Sequence, residues 1–262
     1  MSDVLTADYH VHSNYSDGSF LEWMVRSAAR TGLEGVGIAD HCMLPRRREP
    51  LEHRIVAGYN LDLTYKRRRE AIDLVDEVVD IEIYDAVEMD FFRESTEEIA
   101  AFLAEADFDY AIGSVHEIDG QNVHFSEHLL DKSPSQRKAL VDDYFDDLET
   151  MIRSELFEIC AHPDIVERNE AIRGLATKAH YEQIAAAFAD SRTIPELNAG
   201  RILDEYGQFH PNEPFLEILI EYDIPITVGS DSHSPEAIGP RIERLERAFE
   251  DHGLTPAIPF EH

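Results

Sequence analysis

The sequence has few cysteines, few lysines and no long apolar run. Its 262 residues contain only Cys42 and Cys160, which are too few for a disulfide framework and are expected to be small buried residues near strand ends. No apolar stretch approaches the roughly 18 residues that a membrane-spanning helix needs, and no secretory apolar segment follows Met1. We therefore expect a cytoplasmic protein that has no membrane partner.

Common cofactor motifs are also missing. The sequence has neither a P-loop nor a GxGxxG segment, which argues against nucleotide-driven and hydride-transfer chemistry. Ser13, Ser16 and Ser114 have no Ser/His/Asp nucleophile context. No Pro/Gly/Ser-rich linker or repeat divides the chain, and its length suits one α/β barrel of about 250 residues. We predict a single domain over residues 1–262.

Positive charge is scarce throughout the chain. Lysine and arginine number 23 against 54 aspartates and glutamates, so the formal net charge is −31. This pattern predicts a solvated acidic surface and disfavours a stable nucleic-acid complex, because binding to phosphate backbones relies on clustered Lys and Arg. The lysines are Lys66, Lys132, Lys138 and Lys178.

An acidic surface with few lysines is also expected of a halophilic protein, because ions screen the self-repulsion that opposes the compact state. Salt adaptation is a hypothesis with a direct test. Thermal unfolding should move to higher temperature as KCl is raised from low to multimolar concentration. A midpoint that fails to rise would remove the support for this hypothesis.

Short apolar runs alternate with longer amphipathic segments, which is the pattern of successive β/α units. We predict seven strands and seven helices in alternation, with capping signals at Ser95 and Ser234, where a hydroxyl precedes acidic residues. The predicted strands cover residues 4–9, 35–40, 81–88, 108–115, 156–162, 193–198 and 224–230, and the predicted helices cover residues 21–30, 61–79, 95–104, 135–153, 178–189, 213–222 and 235–251.

Residue types that bind metals recur where the predicted strands end. In a parallel β/α barrel the carboxyl ends of the strands meet at one rim, where such folds carry their chemistry. A lone His or Asp after a strand is more often a hydrogen-bonded or capping residue, but independent accidents would not place one after nearly every strand. The residues at these ends are His10, His12, Asp17, Asp40, His41, Glu88, His116, His162, Asp164, Glu196, Asn198, Asp231 and His233.

The first of these clusters, in DYHVHSNYSDG, spaces two imidazoles so that they can share an ion. Residues two apart on an extended strand point to the same face, so His10 and His12 can approach one cation together. Asp231 and His233 repeat this spacing in SDSH. Mixed imidazole and carboxylate donors suit zinc, manganese or iron better than calcium or magnesium alone.

The order of these motifs resembles that of the polymerase and histidinol phosphatase (PHP) family. The similar segments are DYHVHSNYSDG, ADHC, GSVHEIDG, AHPD and GSDSH, which run from about Ala7 to Gly239. The resemblance implies an α/β fold, a distorted (β/α)7 barrel, with three divalent metal ions at the C-terminal ends of its strands. Zinc, manganese and iron are the candidate ions.

The same resemblance implies a ligand set for each ion. Glu88 would bridge two of the ions, and Glu88, Asp231 and His233 are assigned catalytic roles. Asp17 stands where some members of the family have His. The implied ligands are His10, His12, Glu88 and Asp231 for the first ion, Glu88, His116 and His162 for the second, and Asp17, His41 and His233 for the third.

Within the family, ADHCMLP, GSVHEIDG and IPELNAG resemble the freestanding histidinol-phosphatase branch, whose reaction in histidine biosynthesis is hydrolysis of L-histidinol phosphate to L-histidinol and phosphate. The segment ELNAGRILDEYG departs from that branch, which usually has a longer Thr/Ser-Gly segment here. The implied chemistry is attack on a small phosphomonoester by a hydroxide that bridges two cations, because metal binding lowers the pKa of water from about 15.7 toward about 7. No protein nucleophile is needed.

Two other functions stay open. PHP domains also resemble phosphodiesterases or exonucleases that act on nucleotides or short nucleic acids, although the acidic surface weighs against a long polymer. The other alternative is a catalytically inactive, metal-loaded regulatory module, which the complete ligand set disfavours. The oligomeric state is not determined by the sequence.

Residues beyond the ligand set have less defined roles. Arg201 could clamp a phosphate oxygen of the substrate, or pair on the surface with the nearby Asp204 or Glu205. Asp8 lies two positions before His10 and Asp40 directly precedes His41, so we expect them to hydrogen-bond imidazoles and fix the coordinating tautomers. Solvated side chains are expected for Arg46, Arg47, Arg48, His124, His128 and His210.

Overall fold

The computed structural model describes residues 5–124 and 129–260. Its main sheet has seven strands that pair in parallel throughout, which confirms the predicted α/β barrel class. In sheet order these strands are β1 (Ala7–Val11), β2 (Gly35–Cys42), β3 (Glu82–Asp90), β4 (Tyr110–Ser114), β7 (Ile159–Cys160), β8 (Ile194–Asn198) and β9 (Thr227–Gly229), and a separate hairpin pairs β5 (Glu117–Ile118) with β6 (Gln121–Asn122).

The sheet is nearly closed into a barrel by contacts between its two edges. Val11 forms a parallel bridge with Ser232. The amide of His12 donates to the carbonyl of Ser232 at 3.0 Å, and the amide of Asp231 donates to the carbonyl of His10 at 2.7 Å. These bonds join the end of β1 to the segment that follows β9, so the first and last metal-type motifs lie side by side.

Helices surround this sheet and cover its apolar outer surface. The seven predicted helices are present. A short helix that the sequence pattern did not predict, α2, lies between the first and second of them. The helices are α1 (Leu21–Thr31), α2 (Leu51–Ala57), α3 (Leu61–Asp76), α4 (Thr96–Ala106), α5 (Pro134–Arg153), α6 (Lys178–Ala189), α7 (Glu213–Glu221) and α8 (Pro235–His252).

Two helix starts differ from the prediction. Ser95 and Ser234 precede α4 and α8, but neither side chain makes a capping hydrogen bond. At Ser95 the backbone has φ −108° and ψ 9°, whereas a capping side chain needs an extended backbone to reach the first-turn amides. Complete capping boxes lie instead at Ser133 before α5 and at Thr177 before α6.

Strand boundaries also shift where polar residues are buried. β1 extends to Val11 instead of ending at residue 9, because the polar His10 is fully buried inside the strand. A pattern that assigns polar residues to the surface cannot anticipate this. β7 spans only Ile159–Cys160 within the predicted 156–162.

The remaining composition-based expectations concern the cysteines and the membrane. Cys42 and Cys160 are both free thiols with no exposed surface, which confirms them as small buried residues. Among the residues that the structure describes, every helix is too short or too polar to cross a bilayer.

Candidate metal centre

The carboxyl ends of the barrel strands bring the nine predicted ligands to one rim. His10 lies within β1 and His12 directly after it. His41 and Glu88 are direct neighbours across the β2 and β3 ladder. His116 follows β4, His162 follows β7, Asp231 and His233 follow β9, and Asp17 lies between β1 and α1.

The Glu88 carboxylate lies at the centre of this cluster. Its Oε1 is 3.0 Å from Nε2 of His162 and 3.5 Å from Nε2 of His116. Its Oε2 lies 2.7 Å from Nδ1 of His41, with Nε2 of His10 at 3.5 Å and Nε2 of His12 at 3.6 Å. The two oxygens therefore face two different sets of imidazoles, as a bridging carboxylate would.

Among the residues that the structure describes, three groups of side chains could each hold a metal ion, since the ligand atoms within each group all lie within 4.8 Å of one another. His162 lies beside the group formed by His41, Glu88 and His116. Its Nε2 is 3.3 Å from Nε2 of His116. The groups are His10, His12 and Asp231, then His12, Asp17, His41 and His233, and finally His41, Glu88 and His116.

Hydrogen bonds behind the imidazoles fix which nitrogen points inward. Nδ1 of His10 lies 2.9 Å from Oε2 of Glu196, and Nδ1 of His116 lies 2.7 Å from Oδ1 of Asp90. Nδ1 of His233 is 3.0 Å from the carbonyl of Asp231. When Nδ1 carries the proton that it donates to these oxygens, Nε2 keeps a lone pair for a cation.

The expectation that Asp8 and Asp40 orient imidazoles is wrong. Asp8 accepts from the backbone amides of His10, at 3.2 Å, and Ser230, at 2.9 Å. Asp40 accepts from the amide and hydroxyl of Ser13, both at 2.7 Å. Both carboxylates stabilise the backbone beside the ligands. Asp40 is adjacent to His41 and points to the opposite side of its strand, whereas Asp8 lies two positions before His10 and is occupied by two backbone amides.

The carboxylates that orient imidazoles are instead those of Glu196, beside His10, and Asp90, beside His116. Asp90 follows Glu88 by two positions on β3, so the same alternation that pairs His10 with His12 could have identified it. Glu196 comes from β8, and its carboxylate occupies the space beside Gly229, where an added Cβ would collide with Oε2. The glycine is therefore needed for close approach.

Electrostatics keep the carboxylates ionised. Burial acts to raise the pKa of the Glu88 carboxyl, but the charges of His41 and His10 outweigh burial, and the pKa lies well below its usual range. Burial likewise opposes ionisation of Asp231, and a hydrogen bond with His12 and the charge of His10 hold the pKa of that carboxyl well below normal. The carboxylates of Glu88 and Asp231 are thus both available as anionic ligands at neutral pH.

The imidazoles divide into two sets. Burial, reinforced by the charges of His233 and His41, lowers the pKa of His12 to about 4. Burial also lowers the pKa of His162. Glu88 acts in the opposite direction on His41, where its charge outweighs burial and raises the pKa to about 10. His12 and His162 therefore already have the neutral form that a metal needs, whereas His41 must lose a proton on metal binding.

The donor set fits divalent cations. Oε2 of Glu88 and Nδ1 of His41 are buried atoms without a hydrogen-bond partner, although they lie 2.7 Å apart. Nε2 of His10 and Nε2 of His12 converge to 3.1 Å. Buried lone pairs that face one another are costly unless a proton or a cation lies between them. Imidazole and carboxylate donors without thiolate suit zinc, manganese or iron.

Two of the predicted ligands have unusual backbone angles. His162 has φ 26° and Asp231 has φ 51°. Positive φ is uncommon for residues other than glycine, and such strain persists only where the surrounding structure imposes it. At both positions it turns the chain sharply after a strand end, so that the side chain faces the cluster.

A cleft of about 380 Å³ opens above these ligands. Arg168, Arg201 and Arg241 line it, and of these only Arg201 was predicted as a site residue. Arg201 is 44% exposed and pairs with Asp204 at 2.7 Å, which is the surface ion pair that was expected as the alternative to a phosphate contact. Nη2 of Arg168 lies 3.0 Å from Nδ1 of His124. Nothing in the sequence pattern marks Arg168 or Arg241, because their positions depend on the path of a loop and of α8.

Several residues expected to be solvated are not. His210 is buried, with Nδ1 2.6 Å from Oδ1 of Asp164. His124 is half-buried in the wall of the cleft. Both expectations of solvent exposure are wrong, because each loop folds back onto the strand ends. Arg46 is partly buried in contacts with Glu49 and Glu117, Arg47 and Arg48 are exposed as expected, and His128 lies outside the described residues.

Comparison with known proteins decides the family of this barrel. A family model described as PHP domain matches residues 8–200. The chain belongs to the PHP family. The probable histidinol-phosphatase of Deinococcus radiodurans is 24% identical over 264 residues, covering 97% of this chain and 96% of that protein. A probable histidinol-phosphatase of Clostridium acetobutylicum is also 24% identical, over 66% of this chain and 69% of that protein.

Solved structures of two other proteins have the same fold. Histidinol phosphate phosphatase from Lactococcus lactis, solved with zinc, L-histidinol and phosphate, superposes with a TM-score of 0.75 at 24% identity, over 95% of this chain and 94% of that one. A crystal structure from Listeria monocytogenes, described as that of a putative histidinol phosphatase, gives a TM-score of 0.73 at 18% identity, over 89% and 97% of the two chains. The fold of this PHP protein is thus shared along nearly its whole length.

Proposed function

We propose that this protein, a metal-dependent phosphatase of the PHP family, hydrolyses L-histidinol phosphate to L-histidinol and phosphate. The proposal rests on the position of Glu88 at the centre of the ligand cluster. Its two oxygens face separate groups of imidazoles, which is an arrangement suited to holding two cations side by side. Three divalent ions, of zinc, manganese or iron, are proposed for the rim.

The histidines and carboxylates of the rim would hold these ions. When bound, the ions would supply an activated water and neutralise phosphoryl charge. The protein's own task is to place the phosphate and to keep its ligands in the required protonation states. Glu196 and Asp90 contribute by holding the His10 and His116 rings in a fixed orientation.

Arginines on the cleft wall are suited to orient the phosphate. Burial lowers the pKa of Arg168 to about 10, so its guanidinium is still charged at neutral pH. Arg201 can exchange its exposed contact with Asp204 for a phosphate oxygen at little cost, because exposed ion pairs contribute only about 0–1 kcal/mol. A planar guanidinium can donate two hydrogen bonds to one phosphate group.

The choice of substrate within the family rests on the relatives. Each of the three curated relatives that match is named probable histidinol-phosphatase. The Lactococcus lactis protein was solved with L-histidinol and phosphate. A cleft of about 380 Å³ is of the size that holds small ligands, which favours a small phosphomonoester over a polymer.

The test is phosphate release by the full chain in high salt after reconstitution with zinc, manganese or iron. L-histidinol phosphate is compared with other phosphomonoesters, a nucleotide diester and labelled single-stranded DNA and RNA. We expect a clear preference for L-histidinol phosphate that is lost on chelation and recovered on adding metal.

Other outcomes would discriminate among the alternatives. Activity on other monoesters alone would keep the phosphatase and remove the histidine-biosynthesis substrate. Release of nucleotides from single strands, without activity on L-histidinol phosphate, would support a phosphodiesterase or exonuclease. Metal binding with no hydrolysis of any ester would support a regulatory module.

A further inference from the structure

One face of α3 exposes two leucines with a basic and an acidic residue between them. Leu63, Arg67, Glu70 and Leu74 lie within about 60° of one another around the helix, at about 100° per residue. Leu63 is 58% and Leu74 65% exposed, and both charged side chains are exposed. Neither Arg67 nor Glu70 forms an ion pair with any residue of the described chain.

The four side chains on this face would complement those of a second copy of α3 that runs in the opposite direction. A second α3 lying antiparallel about a two-fold axis would place Leu63 against the partner's Leu74, and Arg67 against the partner's Glu70. Because a two-fold contact is isologous, each pair would occur twice. Two apolar contacts would then flank two pairs of opposite charge.

An aromatic pair extends this surface on the side of α3 that carries Ala71 and Val75. The rings of Phe20 and Trp23 meet edge to face, with centroids 4.9 Å apart, and both are more than half exposed. They form one wall of a groove whose other wall includes Ala71 and Val75. Single exposed apolar residues are ordinary, whereas a contiguous group with exposed aromatics is typical of an interface.

We propose that this α3 face, comprising Leu63, Arg67, Glu70 and Leu74 with Phe20 and Trp23 beside them, joins two copies of the chain in an antiparallel two-fold dimer. A second copy is the partner that the charges favour, because the face offers one positive and one negative group in the order that its own copy requires. A net charge of −31 on each chain opposes association, and concentrated salt would screen that repulsion.

Sedimentation of the full chain in molar KCl, over a concentration series, tests the proposal. We expect the wild-type protein to associate into a dimer of two 29.9 kDa chains. Leu74→Glu should weaken dimerisation about a hundredfold, since the symmetry removes two contacts that are worth about tenfold each. Leu130→Glu is the matched control, because Leu130 is 60% exposed and lies outside the α3 face.

A charge exchange tests the pairing itself. Arg67→Glu alone and Glu70→Arg alone should each weaken the dimer, because each places like charges opposite one another. The comparison is made at the lowest KCl concentration at which the wild-type chain still associates, since salt also screens these exposed pairs. The double variant Arg67→Glu/Glu70→Arg restores opposite charges at both contacts and should recover the wild-type association. Circular dichroism and the unfolding midpoint of each variant separate lost association from lost fold.

Quenching by acrylamide gives a second readout on the unmodified protein. Trp23 is the only tryptophan of the chain, so its quenching should fall as the dimer forms. The proposal is overturned by a wild-type chain that stays monomeric, by a dimer that Leu74→Glu leaves intact, by a double variant that fails to recover, or by Trp23 that is quenched equally in monomer and dimer.

Discussion

The base of the cleft and its arginine wall differ in how firmly their side chains are held. At the base, His10 is fully buried and is fixed from behind by Glu196. On the wall, Arg201 is 44% exposed and has one surface partner, Asp204. Burial and hydrogen bonds remove the conformational freedom of the His10 ring, whereas solvent leaves the Arg201 side chain free to move.

This difference suggests a division of labour. A pre-organised base can stabilise charge without reorganising during the reaction, so its loss should lower turnover. A solvated side chain such as Arg201 gains little from each contact, so its loss should mainly weaken substrate binding. Substitutions in the two regions should therefore differ in both size and kind of effect.

Glu88→Gln should have the largest effect. The substitution keeps the shape of the side chain but removes the anionic charge between the two imidazole groups, so we expect kcat to fall about a thousandfold. Phosphate release and metal content after reconstitution are the measurements, with unfolding by denaturant as the check on fold. Wild-type turnover in this variant would refute the bridging assignment.

Glu196→Gln should have the next largest effect. The carboxylate that lies 2.9 Å from Nδ1 of His10 becomes a neutral amide, and loss of such an orienting partner costs about 10–100-fold in metal affinity or activity. Glu182→Gln on α6 is a matched control, since the Glu182 side chain is 43% exposed, pairs with Lys178 and lies outside the ligand cluster. Equal metal affinities for the two variants would contradict the orienting role.

Metal affinity should rise with pH. In the metal-free protein, burial lowers the pKa of His41, but the charge of Glu88 outweighs it and raises the pKa to about 10. Below that value the imidazole carries a proton that the metal must displace, so affinity should rise about tenfold per pH unit for each proton released. Calorimetric titration in two buffers of different ionisation enthalpy measures the protons released. No release between about pH 6 and pH 8 would contradict the raised pKa.

Arg201→Ala should have the smallest effect. We expect KM for the phosphomonoester to rise severalfold while kcat changes little, because the exposed guanidinium would contact phosphate equally before and during the reaction. Arg168→Ala, at a more buried position in the same wall, should raise KM further. If Arg201→Ala instead lowers kcat with KM unchanged, the wall also takes part in pre-organisation.

The order of polar residues at the strand ends was enough to predict the barrel class and the family. Strand alternation places His10 and His12 on one face, and β/α repetition places successive strand ends at one rim. Three-dimensional contacts were needed for the hairpin of β5 and β6, because its strands have only two residues each. They were also needed for the buried His210, because its partner Asp164 lies 46 positions away.

By itself, the sequence predicted which residues could bind metal and that they recur near the ends of successive strands. Only the tertiary structure decided which carboxylate supports which imidazole. Asp8 and Asp40 lie within two positions of a ligand but accept hydrogen bonds from backbone amides, whereas Glu196 reaches His10 across 186 positions. The reason is geometric. The carboxylates behind the His10 and His116 rings, Glu196 and Asp90, come from other strands, and the order of residues along one strand does not place them.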